Sequence, residues 1–184
     1  HDDREDREAL LGAVRRTGAP LVYFANPDNP MGTWWSAEAV AEMVAALPAH
    51  TLLLLDEAYA EFAPAGVSPR LAPDDPRVLR LRTFSKAYGL AGIRVGFAVG
   101  APAVIAAFDK IRNHFGVNRI GQAGALAALG DADHLARVRA AVSAARSRIG
   151  ALARANGLLP LPSATNFVAV DCGRDGAHAR RVLD

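Results

Sequence analysis

The fold is decided by the stretch Thr51-Leu52-Leu53-Leu54-Leu55-Asp56-Glu57-Ala58-Tyr59. An unbroken apolar run is typical of a strand that is buried on both faces, because a half-exposed strand would alternate apolar and polar residues. The stretch therefore predicts a buried strand at residues 51–55, with Asp56 and Tyr59 in the loop that follows.

Further predicted strands lie on both sides of this stretch. The apolar run at residues 20–25 ends in the turn-forming segment 26–30, and a third strand at 78–82 leads into 83–86. Between them, Ser36 can cap a helix whose apolar residues recur at helical spacing. This alternation predicts an α/β fold, in which helices cover both faces of a mostly parallel sheet.

The remaining elements follow from the same periodicities. Residues 1–17 have helical spacing, and 63–76 carry four prolines and a glycine, which predicts a surface loop. We expect strands at 93–99 and 166–170, and helices at about 101–112, 120–129 and 131–156.

Composition excludes several classes of protein. The net charge is +2 with scattered positive residues, which argues against nucleic-acid binding. A single cysteine, Cys172, rules out an internal disulfide and fits a reducing cytoplasm. No apolar run approaches the ~20 residues of a membrane helix, and no signal peptide is evident. Because the first residue is not methionine, we expect the chain to begin partway through a protein or after cleavage.

Three polar clusters follow the predicted strands, at 26–29, 56–59 and 83–86. In parallel sheets, ligands bind outside the carboxyl ends of the strands, so these clusters are expected to form one site. The third cluster contains Lys86, one of only two lysines in the chain; the other is Lys110.

The side chains of these clusters combine an amine, an anion-binding set, an acid, a phenol and an amide. An aldehyde cofactor that carries a phosphate and a ring nitrogen would need such a set. The residues concerned are Asn29, Asp56, Tyr59, Thr83, Ser85, Lys86 and Arg94.

Each residue alone has a simpler interpretation. Asp56 could be a turn or cap residue, Tyr59 half-buried packing, and Arg94 a surface arginine. A shared site explains their joint occurrence better than coincidence does. Near it, His114 and Asn118 fit a structural role or substrate contact equally well. No metal-ligand spacing appears.

Three motifs are similar to the class I/II aminotransferases of pyridoxal-phosphate (PLP) fold type I, and most resemble the histidinol-phosphate aminotransferase branch. They are Asn29-Pro30-Met31-Gly32, Asp56-Glu57-Ala58-Tyr59 and Ser85-Lys86-Ala87-Tyr88-Gly89-Leu90-Ala91-Gly92-Ile93-Arg94. The separations of 27, 3, 27 and 8 residues between Asn29, Asp56, Tyr59, Lys86 and Arg94 also fit that branch. Met31 departs from the family, which usually has threonine there.

The resemblance implies roles for individual residues. Lys86 would bind PLP as a Schiff base and then move the proton of the substrate Cα. Asp56 would pair with the pyridine nitrogen and keep it protonated. Tyr59 and Asn29 would donate to the phenolate oxygen of the ring.

The phosphate of PLP would be held by Arg94, Ser85 and Thr83, because a guanidinium fork suits phosphate oxygens. Asn166 resembles a family position near the substrate carboxylate, on weaker grounds. In the family, a glycine-containing phosphate loop and a ring-stacking aromatic residue precede the portion matched here, and an arginine for the substrate carboxylate follows it.

The implied function is transfer of an amino group to a 2-oxo acid from an amino acid or amino alcohol phosphate, histidinol-phosphate-like or aromatic. The family implies a cytoplasmic homodimer. Two alternatives stay open: a PLP-dependent decarboxylase or lyase, and a non-catalytic PLP-binding regulatory domain. We expect residues 1–130 to form part of the large PLP-binding domain. Residues 131–184 are expected to form an interdomain helix and the start of a small α+β domain.

Overall fold

A computed structural model describes residues 3–183. The helices are α1 (Arg7–Thr17), α2 (Ala37–Ala46), α3 (Pro102–Phe108), α4 (Arg119–Gly130), α5 (Ala132–Ala155) and α6 (Gly176–Leu183). The strands are β1 (Leu21–Ala25), β2 (Leu52–Asp56), β3 (Val78–Thr83), β4 (Gly96–Gly100), β5 (Leu159–Pro160) and β6 (Val170–Asp171). In the described range, none of the helices is long and apolar enough to span a membrane.

The main sheet has the strand order β1-β2-β3-β4. Strands β1, β2 and β3 are parallel, and β4 runs antiparallel to β3. The prediction of an α/β fold with a mostly parallel sheet is confirmed. Strand β4 begins at Gly96, later than the predicted residue 93, because Ala91–Ile93 forms a 3-10 turn that ends at Arg94.

One face of the sheet forms the hydrophobic core with α1 and α2. Alternate residues of β1 and β2 point to this face, as the period of a strand requires, and pack against the apolar side of α2. The ring of Phe24 and the side chains of Leu53, Leu55 and Val40 are fully buried there. As predicted, Ser36 caps α2 by accepting a hydrogen bond from the backbone of Ala39.

The opposite face of the sheet is largely open in the part of the chain described. Leu21 and Tyr23 are 51% and 54% exposed, although both lie within a predicted buried strand. Helix α3 covers only part of this face and leaves an apolar groove of about 400 Å³. We call this surface, on which Leu21, Tyr23, Leu54 and Leu81 lie, the open face.

The predicted strand at 166–170 is wrong over most of its length. Only Val170 and Asp171 form a strand, paired antiparallel with β5. The reason is local, because Ser163 and Thr165 accept and donate hydrogen bonds within the 163–167 turn and so satisfy its backbone. The division of the chain near residue 130 stays a prediction.

Candidate active site

The three polar clusters meet at one edge of the sheet. Ala25 pairs with Asp56, and Asp56 pairs with Leu81, so the carboxyl ends of β1, β2 and β3 lie side by side. The backbone N–H of Asn26 continues this pairing by donating to Asp56 O at 2.9 Å. The predicted convergence at this edge is confirmed.

The loop after β1 is held closed by a buried amide. Asn26 Oδ1 accepts from the backbone N–H of Trp35 at 2.9 Å, and Asn26 Nδ2 donates to Trp35 O at 3.1 Å. This closure brings Asn29 to the site, where its Nδ2 donates to the hydroxyl of Tyr59 at 3.3 Å. Asn29 and Tyr59 therefore form a hydrogen-bonded pair at the site.

Gly32 is required in this loop by a close approach. It has a φ of 78°, and a Cβ there would lie 2.8 Å from Ser163 Oγ. Gly32 O also accepts from the backbone N–H of Ala164 at 2.8 Å. The loop that carries Asn29 is thereby packed against the turn at 163–167.

Asp56 is oriented through both of its carboxylate oxygens. Oδ1 accepts from the backbone N–H of Ala58 at 2.9 Å, and Oδ2 accepts from the hydroxyl of Tyr23 at 2.7 Å. The sequence predicts a buried acid here, but Asp56 is only half-buried because its side chain lies on the open face.

Tyr59 lies between the predicted cofactor residues and the C-terminal part of the chain. Its ring is buried and meets the ring of Phe167 edge-on, with centroids 5.4 Å apart. The Nζ of Lys86 lies 5.0 Å from the centroid of the same ring, within reach of a cation–π contact. Tyr59 therefore connects Asn29 to Lys86.

Phe84 anchors the segment that carries Lys86. Phe84 is buried, its ring packs on Tyr88 and Phe97 at 5.0 and 5.7 Å, and its backbone N–H donates to Val95 O. Lys86 itself is half-buried, and among residues 3–183 no carboxylate lies within ion-pairing distance of its Nζ.

A cavity of about 360 Å³ opens beside Lys86. Of the predicted residues, it brings together Asp56, Thr83, Ser85, Lys86 and Arg94. Thr83 Oγ1 accepts from the backbone N–H of Ser85 at 3.0 Å, which shapes the turn between these two hydroxyls.

Arg94 has an unusual backbone conformation for a residue with a Cβ. Its φ is 61° and its ψ is 55°, in the left-handed region that only a few per cent of non-glycine residues adopt. Such residues cluster at ligand sites. Its guanidinium donates to Ala91 O at 2.6 Å, so it is held by its own turn.

The sequence interpretation missed the most buried acid near the site, Glu57, which is 1% exposed. Arg80 and Arg82 of β3 contact it on the sheet face opposite Asp56. The spacing of the two arginines could have indicated this acid, because residues two apart on a strand share a face, and two half-buried arginines there need an acidic partner.

The segment at 112–118 has no contact with the site that would support substrate binding. His114 is exposed, and Asn118 caps α4 while its Nδ2 donates to Ile93 O. Asn166 is also exposed, although its neighbour Phe167 contacts Tyr59. Within residues 3–183 no group of three His, Cys, Asp or Glu could hold a metal ion.

Comparison with solved structures identifies a close likeness. The histidinol-phosphate aminotransferase of Sinorhizobium meliloti, determined in complex with pyridoxal-5'-phosphate, is 59% identical with a TM-score of 0.96. The match covers 100% of this chain and 50% of that one. The predicted fold of the PLP type I aminotransferases is confirmed for the matched region.

Sequence relatives include two kinds of aminotransferase. The aromatic amino acid aminotransferase of Mycobacterium marinum is 47% identical, over 89% of this chain and 46% of its own length. Histidinol-phosphate aminotransferase 2 of Pseudomonas fluorescens is 44% identical, over 94% of this chain and 47% of its own. The chain thus spans about half the length of these relatives.

The family model described as aminotransferase class I and II matches residues 2–181, nearly the whole chain. Together with the site at the carboxyl edge of the sheet and the motifs that form it, this match shows that the chain belongs to the class I and II aminotransferase family.

Proposed function

We propose that this chain carries the cofactor-binding site of a PLP-dependent aminotransferase, with Lys86 as the residue that binds the cofactor. The observation that carries the proposal is the cavity in which Lys86, Asp56 and Arg94 meet at the carboxyl edge of a parallel sheet. Family membership and the PLP complex of a 59% identical relative support it.

The residues of the cavity fit the cofactor chemically. An aldehyde needs an amine, and Lys86 has no acidic partner among the described residues that would hold its ammonium in an ion pair. A phosphate needs cationic and hydroxyl donors, which Arg94, Thr83 and Ser85 supply.

A cationic ring nitrogen needs a fixed carboxylate, and Asp56 is oriented by two hydrogen bonds. The Asn29–Tyr59 pair offers donors for a phenolate oxygen. When bound, PLP supplies an electron sink that stabilises negative charge on the substrate Cα.

The residues of the chain perform the remaining tasks. Asp56 would hold the ring nitrogen of the cofactor in its protonated form. Lys86 Nζ would move the proton of the substrate Cα. The centroid of the Tyr59 ring lies 5.0 Å from this Nζ, so the ring limits where the amine can move.

The proposed amino donor is histidinol-phosphate-like or aromatic, and the acceptor is a 2-oxo acid. Support comes from the names of the similar proteins, which are histidinol-phosphate and aromatic amino acid aminotransferases. The family resemblance supports a cytoplasmic homodimer and the division of the chain near residue 130.

Reductive labelling tests the cofactor assignment. Borohydride treatment of PLP-loaded protein, followed by peptide mapping, should place the pyridoxyl mass on Lys86. The matched control is Lys110→Ala, which removes the exposed second lysine and should keep the label. A label on Lys110, or no label in PLP-loaded protein, would overturn the assignment.

A panel of amino donors tests the substrate. Loss of the visible absorbance of the lysine-bound cofactor should be more efficient with histidinol phosphate, phenylalanine or tyrosine than with aspartate or alanine. If aspartate or alanine reacts at least as efficiently, the donor assignment fails and the aminotransferase assignment stands. Release of CO₂ in place of a 2-oxo acid would indicate a decarboxylase.

A further inference from the structure

Tyr23 contacts the proposed site from a position that none of the family motifs includes. It lies on β1 opposite Leu54, on the same face as Asp56, which is two residues further along β2. Its hydroxyl donates to Asp56 Oδ2 at 2.7 Å. Since the backbone N–H of Ala58 donates to Oδ1, both carboxylate oxygens of Asp56 accept hydrogen bonds from the protein.

The hydroxyl of Tyr23 is a charge-assisted donor to the carboxylate of Asp56. Such hydrogen bonds are shorter and stronger than those between neutral groups, so they hold the acceptor in place. Burial raises the pKa of Tyr23, and the hydrogen bond to Asp56 raises it further, so the phenol stays a donor at neutral pH. Each carboxylate oxygen retains another lone pair for a second donor.

The packing of Tyr23 argues against a purely structural role. More than half of its surface is exposed on the open face, so its ring contributes less burial than Phe24 beside it. A phenylalanine would keep those ring contacts. The hydroxyl is the part of Tyr23 that reaches a titratable group, and that group is the acid proposed to face the ring nitrogen.

We propose that Tyr23 is a positioning residue for Asp56: its hydroxyl holds the carboxylate in place and orients it for the cationic ring nitrogen. This inference rests on the proposed function, because Asp56 needs a fixed charge only if it faces such a group. Tyr23 itself touches neither the substrate nor the reacting atoms.

Tyr23→Phe tests the inference first by a spectroscopic readout in the PLP-loaded protein. Nitrogen-15 NMR of PLP labelled at the ring nitrogen should show a smaller protonated fraction at neutral pH in the variant, since the carboxylate that faces this nitrogen loses the donor that orients it. Tyr88→Phe is the matched control, because Tyr88 packs on Phe84, and loss of its hydroxyl should leave the ring-nitrogen signal unchanged. An unchanged signal in Tyr23→Phe would overturn the inference.

The second readout is kinetic. In the PLP-loaded protein, Tyr23→Phe should lower kcat about tenfold and leave the KM of the amino donor within about twofold. A changed ring-nitrogen signal with unchanged kcat would overturn the positioning role. Failure of Lys86 labelling in the parent protein would overturn the proposed function, a result distinguishable from either of these.

Discussion

Glu57 and Arg80 form a bidentate ion pair on the sheet face opposite Asp56. Arg80 Nε donates to Glu57 Oε2 and its Nη2 donates to Oε1, each at 2.8 Å. Arg82 extends the pair by contacting Glu57 at 3.5 Å and Glu61 at 2.5 Å. Because Glu57 and Glu61 flank Tyr59, the two arginines of β3 tie that residue to the strand that leads to Lys86.

Breaking this pair is expected to destabilise the protein strongly. Arg80→Met leaves the Glu57 charge buried with a weakened set of partners, and loss of a partner from a buried pair costs about 3–5 kcal/mol. Urea denaturation measures the loss in the free energy of unfolding. The control is Arg112→Gln, which breaks an exposed pair with Asp109 and should cost less than about 1 kcal/mol. Equal losses in both variants would contradict this prediction.

Replacing Asp56 by Asn should separate cofactor binding from turnover. The amide keeps the size of the side chain, so the variant should still bind PLP through the proposed contacts of Lys86 and the phosphate-binding residues. Loss of one preorganised charge costs about 3 kcal/mol or more of transition-state stabilisation, a hundredfold or greater fall in kcat. Single-turnover kinetics and the visible absorbance of bound PLP measure the two effects. Asp74→Asn, in the exposed loop, serves as the control, and near-normal turnover in Asp56→Asn would remove Asp56 from the mechanism.

Glu5 makes stability depend on pH near neutrality. Burial, with a further contribution from the charge of Asp28, raises the pKa of Glu5 to about 7. The folded state therefore holds a proton that the unfolded state releases near pH 4.5, and stability falls as the pH rises from there to about 7. Among the described residues, Glu5 Oε2 has no hydrogen-bond partner that would offset its charge.

Glu5→Gln should remove this dependence. Its Tm should exceed that of the parent protein at pH 8, and the difference should shrink or vanish at pH 4, because the parent carboxyl is then protonated in both states. Glu42→Gln, on the exposed side of α2, should show no such pH-dependent gain. A gain of equal size at both pH values would show that the effect does not come from ionisation.

The sheet and the location of the site could be predicted because both follow from local patterns. The apolar run before Asp56 required a buried strand, and parallel strands bring their carboxyl ends together. The ion pair of Glu57 could not be predicted from the hydrophobic pattern. Asp56 and Glu57 are equally polar in that pattern, although their side chains point to opposite faces of the sheet. The strand predicted at 166–170 is wrong because the side chain of Thr165 hydrogen-bonds the backbone of Phe167, a local contact that apolar content does not reveal.

The contact between Tyr23 and Asp56 lay beyond sequence analysis for a different reason. It joins positions 33 residues apart, and it depends on the register in which Tyr23 lies opposite Leu54. Apolar runs predict that two strands are neighbours, but the relative shift of the strands decides which side chains meet.

The open face has a consequence for the strength of every charge in the site. In the part of the chain that the structure describes, Asp56 lies on this face and is half-buried. Two unit charges 4 Å apart interact by about 1 kcal/mol in bulk water, and by about 4 kcal/mol at the effective dielectric constant of a protein surface. A layer that covered the face would therefore strengthen the pull of Asp56 on a cationic ring without moving any atom of the site. The electrostatic strength of the proposed site thus depends on the dielectric environment above β1 and β2, as well as on the positions of its own residues.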